Sequence, residues 1–148
     1  MIIQFLVAMV ATAAFSILYS VPRKNILAGA VAGGVGWIIY FTLEKVGADT
    51  IVYAFTSAFF LGVISRICAV LFKTPVTLYL LPGIFPIVPG AGIYYTAYYF
   101  FMNDMASFTR NGLETAKIAL AISFGIIFAL SIPHEIFGLL RKLQREEK

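Results

Sequence analysis

The chain reads as an all-α integral membrane protein. It has five transmembrane helices, the fourth of them broken, with the N-terminus outside and the C-terminus inside. Three observations predict this. Hydrophobic residues make up 61% of the sequence and charged residues 12%, about half the charge of a soluble domain. The charges gather in short clusters that separate apolar runs of the length a bilayer demands, about 20 residues each. Lysine and arginine then fall unevenly on the two sides that those runs define.

The first run is 1–21. It lacks the positive n-region of a signal peptide and continues past the small-residue site at 11–13, so it is expected to stay as the first helix. "VPRKN" at 21–25 separates it from the second run, 26–43. "EKVGAD" at 44–49 leads to the third, 51–72, and "KTP" at 73–75 to the fourth, 76–102. "NDMASFTRNG" at 103–112 is expected as a loop with solvated charges at Asp104 and Arg110. The fifth run covers 113–133 and continues towards 140. The connections are short, so consecutive helices are antiparallel neighbours, and 1–148 forms a single transmembrane domain.

With the N-terminus outside, the inner face receives Arg23, Lys24, Lys73, Arg141, Lys142, Arg145 and Lys148. The outer face receives Lys45 and Arg110. That bias fixes the orientation and accounts for the net charge of +4 without a nucleic-acid partner. The partner implied is the lipid bilayer of the cytoplasmic membrane. One cysteine, Cys68, excludes an internal disulfide and a multi-cysteine metal site. It reads as a small buried hydrophobe.

Small residues recur at intervals of four, the spacing that lets helices approach closely in lipid. The second helix carries Gly29 and Gly33 beside Ala28, Ala32 and Gly36. The third carries Ala54, Ala58 and Gly62, and the fifth Ala121, Gly125 and Ala129. These stripes predict tight packing, within the chain, against a partner or in a homo-oligomer.

Arg66 continues the Ala54–Ala58–Gly62 stripe by one step, so it points to a helix interface. Two readings fit it. It snorkels to the inner headgroups, or it lines a cavity and meets an anion or a carboxylate. His134 and Glu135 follow Pro133 at the inner interface. Glu135 is a candidate for proton coupling, because a partly desolvated carboxyl holds its proton more tightly. The remaining stretch from Ile136 has an apolar face and basic residues between, as a helix on the inner leaflet would.

The fourth run is the unusual one. As one straight helix its 27 residues would span about 40 Å against a hydrocarbon core of about 30 Å. Pro82, Pro86 and Pro89 remove backbone donors and crowd the preceding turn. Gly83, Gly90 and Gly92 favour irregular backbone. A half-helix over 76–81, a break over 82–90 and a second half-helix over 91–102 are expected. Irregular backbone at membrane depth persists only where protein or a wet cavity satisfies it, and interrupted helices of transporters hold solutes that way. The restarting helix would offer N–H groups at Gly90, Ala91 and Gly92 and its positive end to a carboxylate. Tyr94, Tyr95, Tyr98 and Tyr99 would supply hydroxyls from its first turns. The candidate substrate site is therefore Pro82, Gly83, Pro86, Pro89, Gly90, Ala91, Gly92, Tyr94 and Tyr95, with Arg66.

Enzyme chemistry finds no support. The lone histidine sits at the inner surface, "HEIFG" lacks the second histidine of a zinc protease, and no serine stands in a Gly-x-Ser-x-Gly setting. No catalytic residue, metal site or cofactor is expected.

"SRICAVLFKTPVTLYLLPGIFPIVPGAGIY" resembles the threonine/serine exporter family, specifically its C-terminal five-helix domain. The resemblance rests on Ser65-Arg66, on Lys73 and Pro75, and on the run Pro-Gly-x-x-Pro-x-x-Pro-Gly followed by Tyr94 and Tyr95. "YSVPRKNILAGAVAGGVGW" is similar to the family's first loop and second helix. The resemblance implies a secondary, proton-driven exporter of threonine, serine or dicarboxylates such as succinate. It also implies that this domain works beside a larger sister membrane subunit. No catalytic residues carry over, and no motif fixes the solute. A structural subunit without a substrate site of its own, or a pore-forming homo-oligomer, remains the alternative.

Overall fold

The computed structural model describes residues 1–133 of the chain. Six helices follow one another: α1 (Ile2–Leu18), α2 (Arg23–Lys45), α3 (Thr50–Phe72), α4 (Thr77–Ile84), α5 (Gly90–Phe101) and α6 (Met105–Ser131). No strand occurs among the described residues. Helices α2, α3 and α6 are long and apolar enough to cross a membrane, and α1 is a shorter apolar helix.

The helix ends follow local chemistry. Asp49 caps α3 by accepting from the Ile51 N–H at 2.9 Å. Lys73 ends α3 in the left-handed region (φ 54°), and Pro75 stands two residues on. Gly47, at φ 81°, turns the chain after α2.

Two boundaries differ from the sequence expectation. Residues 105–112, expected as loop, form the first turns of α6. Asp104 accepts from the Ser107 N–H at 3.1 Å and so starts the helix eight residues early. Its charge is a helix cap as well as a solvated group. The break in the fourth run is also shorter. Pro82 and Gly83, expected in the irregular stretch, lie inside α4 and are buried, which confines the break to 85–89. Proline at 82 withholds a hydrogen bond from the Leu78 carbonyl. That carbonyl faces Gly29, where a Cβ would stand 4.0 Å from it.

Helix α2 lies between α1, α3 and α4, and α3 packs most extensively on α6. Small residues make each crossing. Thr12 of α1 fills the space a Cβ on Gly33 would need, and Ser16 stands against Gly29. A Cβ on Gly83 would lie 3.6 Å from Gly33 Cα, so α4 crosses α2 glycine on glycine. At the α3–α6 seam a Cβ on Gly125 would stand 2.5 Å from the Phe55 carbonyl oxygen and 3.0 Å from Phe59 N. The stripes therefore pack helices within this chain. Towards the end of the bundle where α1 begins, the Trp37 indole N–H donates to Gln4 Oε1 at 3.1 Å, and Trp37, Tyr40 and Tyr53 form a ring cluster.

Candidate functional site

The break separates two half-helices with different surroundings. At 1.5 Å per residue α4 rises only about 12 Å, so the chain stops helically about midway along the bundle. Helix α4 is held by α1, α2 and α3, whereas α5 touches only α6 among the described helices and has no buried residue.

The break itself is firmly packed. Ile87 is 1% exposed, with its Cδ1 beside bare Gly36. Phe85 stacks on Phe15 of α1, centroids 3.9 Å apart. Pro89 has φ −75° and ψ 62°, the shape of an inverse γ-turn, and the Gly90 N–H donates to the Val88 carbonyl at 2.7 Å. That bond uses the Gly90 donor expected to be free. The first i→i−4 bond of α5 runs from Ile93 N to the Pro89 carbonyl. The helix-opening donors are therefore those of Ala91 and Gly92. Gly90 and Ala91 are exposed, and the position of a Cβ on Gly90 is open space. Gly92 instead lies against Thr115 of α6.

Between the break, α5 and α6 lies a cavity of about 800 Å³. Its α5 wall is Ile93, Thr96, Ala97, Phe100 and Phe101, one helical face; Thr115, Ala119 and Ser123 are among its α6 residues. Each of its hydroxyls is committed to its own helix. Thr96 donates to the Gly92 carbonyl, Thr115 to the Asn111 carbonyl and Ser123 to the Ala119 carbonyl, at 2.7, 2.7 and 2.8 Å. The wall is thus apolar in effect.

The structure separates the candidate residues. Pro89, Gly90 and Ala91 are contiguous at the start of α5, and Pro89 reaches the cavity. Pro82 and Gly83 are packing residues of α4, and Pro86 is half-buried in the break. Tyr94 and Tyr95 are exposed on the face of α5 away from the cavity and touch each other edge to face, 5.3 Å apart. Tyr98 and Tyr99 extend that row.

Arg66 is elsewhere. It is 6% exposed, and its Nη1 donates to the carbonyls of Ala129, Leu130 and Ile132 at 3.1, 2.7 and 2.6 Å. A guanidinium thus sits on the carbonyl end of α6, where a cation is favoured. It does not line the cavity. Cys68 is half-buried. Glu135, and the amphipathic stretch beyond it, lie outside the described residues.

Sequence reasoning missed two features. The cavity-lining face of α5 is legible in the i, i+3, i+4 spacing of Ile93, Thr96 and Ala97, but tyrosines with a stronger polar signal stand on the opposite face. Asn25, assigned to a loop, is fully buried; its place between two basic residues and an apolar run hid it.

An apolar bundle with three helices long enough to cross a membrane defines a class, the helical membrane protein. The chain belongs to the threonine/serine exporter family: the profile described as "Threonine/Serine exporter, ThrE" matches residues 4–132. A protein of Mycobacterium tuberculosis (strain ATCC 25618 / H37Rv) named "Probable threonine/serine exporter" is 23% identical over 111 residues. That match covers 72% of this chain and 20% of the relative, so the chain spans about a fifth of the relative's length. No solved structure matches the chain.

Proposed function

We propose that the chain is the small subunit of a secondary exporter, one that moves small carboxylate-bearing solutes across the cytoplasmic membrane. The solutes are threonine and serine, or dicarboxylates such as succinate, and the driving force is the proton gradient. The carrying observation is the packed break at 85–89, from which α5 restarts with open space at Gly90 and donors at Ala91 and Gly92. Such a restart suits a carboxylate.

In this reading the chain crosses the membrane five times, α4 and α5 together forming one span, with the N-terminus outside. Glu135 carries the proton, and a larger sister subunit completes the site. The isolation of α5 supports that last point. A half-helix with no buried residue, resting among the described helices on α6 alone beside an apolar cavity, is suited to a further protein surface. The same observation favours a second reading, in which the chain is an assembly subunit and its partner holds the solute.

Deletion of the chain with the sister subunit retained separates the two from a bystander role. Internal threonine, serine or succinate should rise during overflow, and unchanged efflux would sink both. Substituting Gly90→Leu then divides them. Loss of efflux with intact insertion supports a site on this chain, and normal efflux supports assembly.

A further inference from the structure

The cavity beside α5 has a chemistry that selects its occupant. None of its lining residues is charged. Its hydroxyls, on Thr96, Thr115 and Ser123, are bonded to carbonyls of their own helices. A polar solute or a water molecule moving in would give up its hydrogen bonds and find none to replace them. The occupant is therefore hydrocarbon wherever it touches the wall.

The cavity is also accessible. Its lining follows α6 from Phe108 to Ser123, about 22 Å of helix. On that face α6 presents Gly112, Ala116, Ala119 and Ser123, whose small side chains leave the space. Opposite them stand Ile93, Phe100 and Phe101 of α5, each at least half exposed. The rings of Phe100 and Phe108 meet 5.5 Å apart at the end nearest the α5–α6 turn. The space is thus bounded at that end and reached from the side, where a bilayer would lie.

Its size separates the hydrocarbon candidates. A helix of the same length and about 10 Å across occupies about 1,700 Å³. That is twice the cavity of about 800 Å³. An acyl chain reaching through one leaflet is about 15 Å long and, at a van der Waals width of about 5 Å, occupies about 350 Å³. Two such chains need about 700 Å³, which the cavity can hold.

Contact decides how firmly they are held. In lipid no hydrophobic force draws one apolar surface to another, so dispersion contact sets the preference. A chain lying on the convex side of a helix touches it along one edge. A chain in the cavity touches α5, α6 and, at Ile84 and Val88, the end of α4 and the break. It also covers part of α5, a helix that has no buried residue and no described neighbour except α6. Tyr94 and Tyr95, on the other face of α5, stay free for a protein partner.

We propose that this cavity is a phospholipid site, which holds the two acyl chains of one lipid and leaves the headgroup outside. With no charged lining residue, the site reads the chains and not the head. It stands independently of the exporter reading.

The test uses the full chain, purified in a mild detergent, stripped of lipid and titrated with dioleoyl phosphatidylcholine under native mass spectrometry. Saturation at one phospholipid per chain is expected. Dioleoyl phosphatidylglycerol should bind within about twofold of the same affinity, with little effect of salt. Ala116→Phe/Ala119→Phe fills the cavity from exposed positions and should weaken binding at least about tenfold. Leu120→Phe, exposed and outside the cavity, should bind as the parent does. If the double variant fails to fold, Ala97→Phe on the α5 wall decides, with the same loss expected. The proposal is overturned if lipids add without saturation, as a bulk coat does, or if the filled cavity binds with parental affinity. It is overturned equally if only phosphatidylglycerol binds, or if a second copy of the chain takes the place of the lipid in a dimer that the double variant abolishes. These readouts contain no efflux, so failure here leaves the exporter reading standing, and failed efflux leaves this site standing.

Discussion

Helix α6 is packed in two ways along its length. Its second half lies against α3 with no space to spare. Gly125 meets the backbone of Phe55 and Phe59, Ala129 meets Gly62, and Arg66 of α3 ties the last carbonyls together. Its first half supports α5 across a cavity of about 800 Å³, with Gly92 on Thr115 and Gly112 near Thr96 as the close points. The difference teaches where this fold is fixed and where it is left to be completed. Backbone-to-backbone contact in lipid gains dispersion over many atoms and leaves no freedom to reposition. A half-helix propped on one neighbour can move or accept a partner at little cost.

The comparison breaks most sharply at Gly125. In Gly125→Leu the new side chain meets backbone, which cannot rotate away, and a loss of about 3 kcal/mol or more is expected. Reversible unfolding in mixed micelles measures it; a loss below about 1 kcal/mol would show the seam to be adjustable. Next comes Arg66→Met, which leaves one buried and two part-buried carbonyls without their donor and should cost about 2 kcal/mol. Arg66→Lys should recover only part of this, because its shorter side chain with a compact ammonium reaches the end of α6 less closely. Full recovery of stability and efflux by lysine would reduce Arg66 to a simple cation.

The loose half should answer differently. Ala119→Leu grows into the cavity and should change stability by less than about 1 kcal/mol, in either direction. A Gly125-sized loss there would mean that the space is already filled by tightly fitted groups. Gly90→Leu faces open space and should shift stability by under about 0.5 kcal/mol. Its effect belongs to transport.

The smallest effect lies at Asp104, in the turn between α5 and α6. Hydrogen bonds from Ser107 hold its carboxyl below the usual range. Because the folded value is depressed, the cap contributes fully above the ordinary aspartate value of about 3.9. It is lost as pH falls through the lower folded one. Asp104→Asn should erase that acid-side dependence, its Tm lying slightly below that of the parent at neutral pH and meeting it in acid. A Tm profile of both proteins between pH 2 and 6 tests it.

Much of this was legible in the sequence, for physical reasons. Lipid offers backbone groups no hydrogen bonds, so apolar runs of sufficient length must be helical, and α2 and α3 appear almost where their runs lie. Four-residue stripes of small side chains carry their own geometry, and Gly33, Gly62 and Gly125 all sit at crossings. Prolines and glycines announced that the fourth run breaks. Propensity alone could not say where. Pro82 remains helical and buried in a half-helix packed on α1, α2 and α3, and that packing belongs to other helices. The capping bond of Asp104 likewise turned an expected loop into helix. What only the tertiary structure decided are the relations between segments. It sent Arg66 to the end of α6, turned Tyr94 and Tyr95 away from the cavity, and buried Asn25. Each depends on which helix becomes the neighbour, and that is settled by packing along the whole bundle rather than by residues adjacent in the chain.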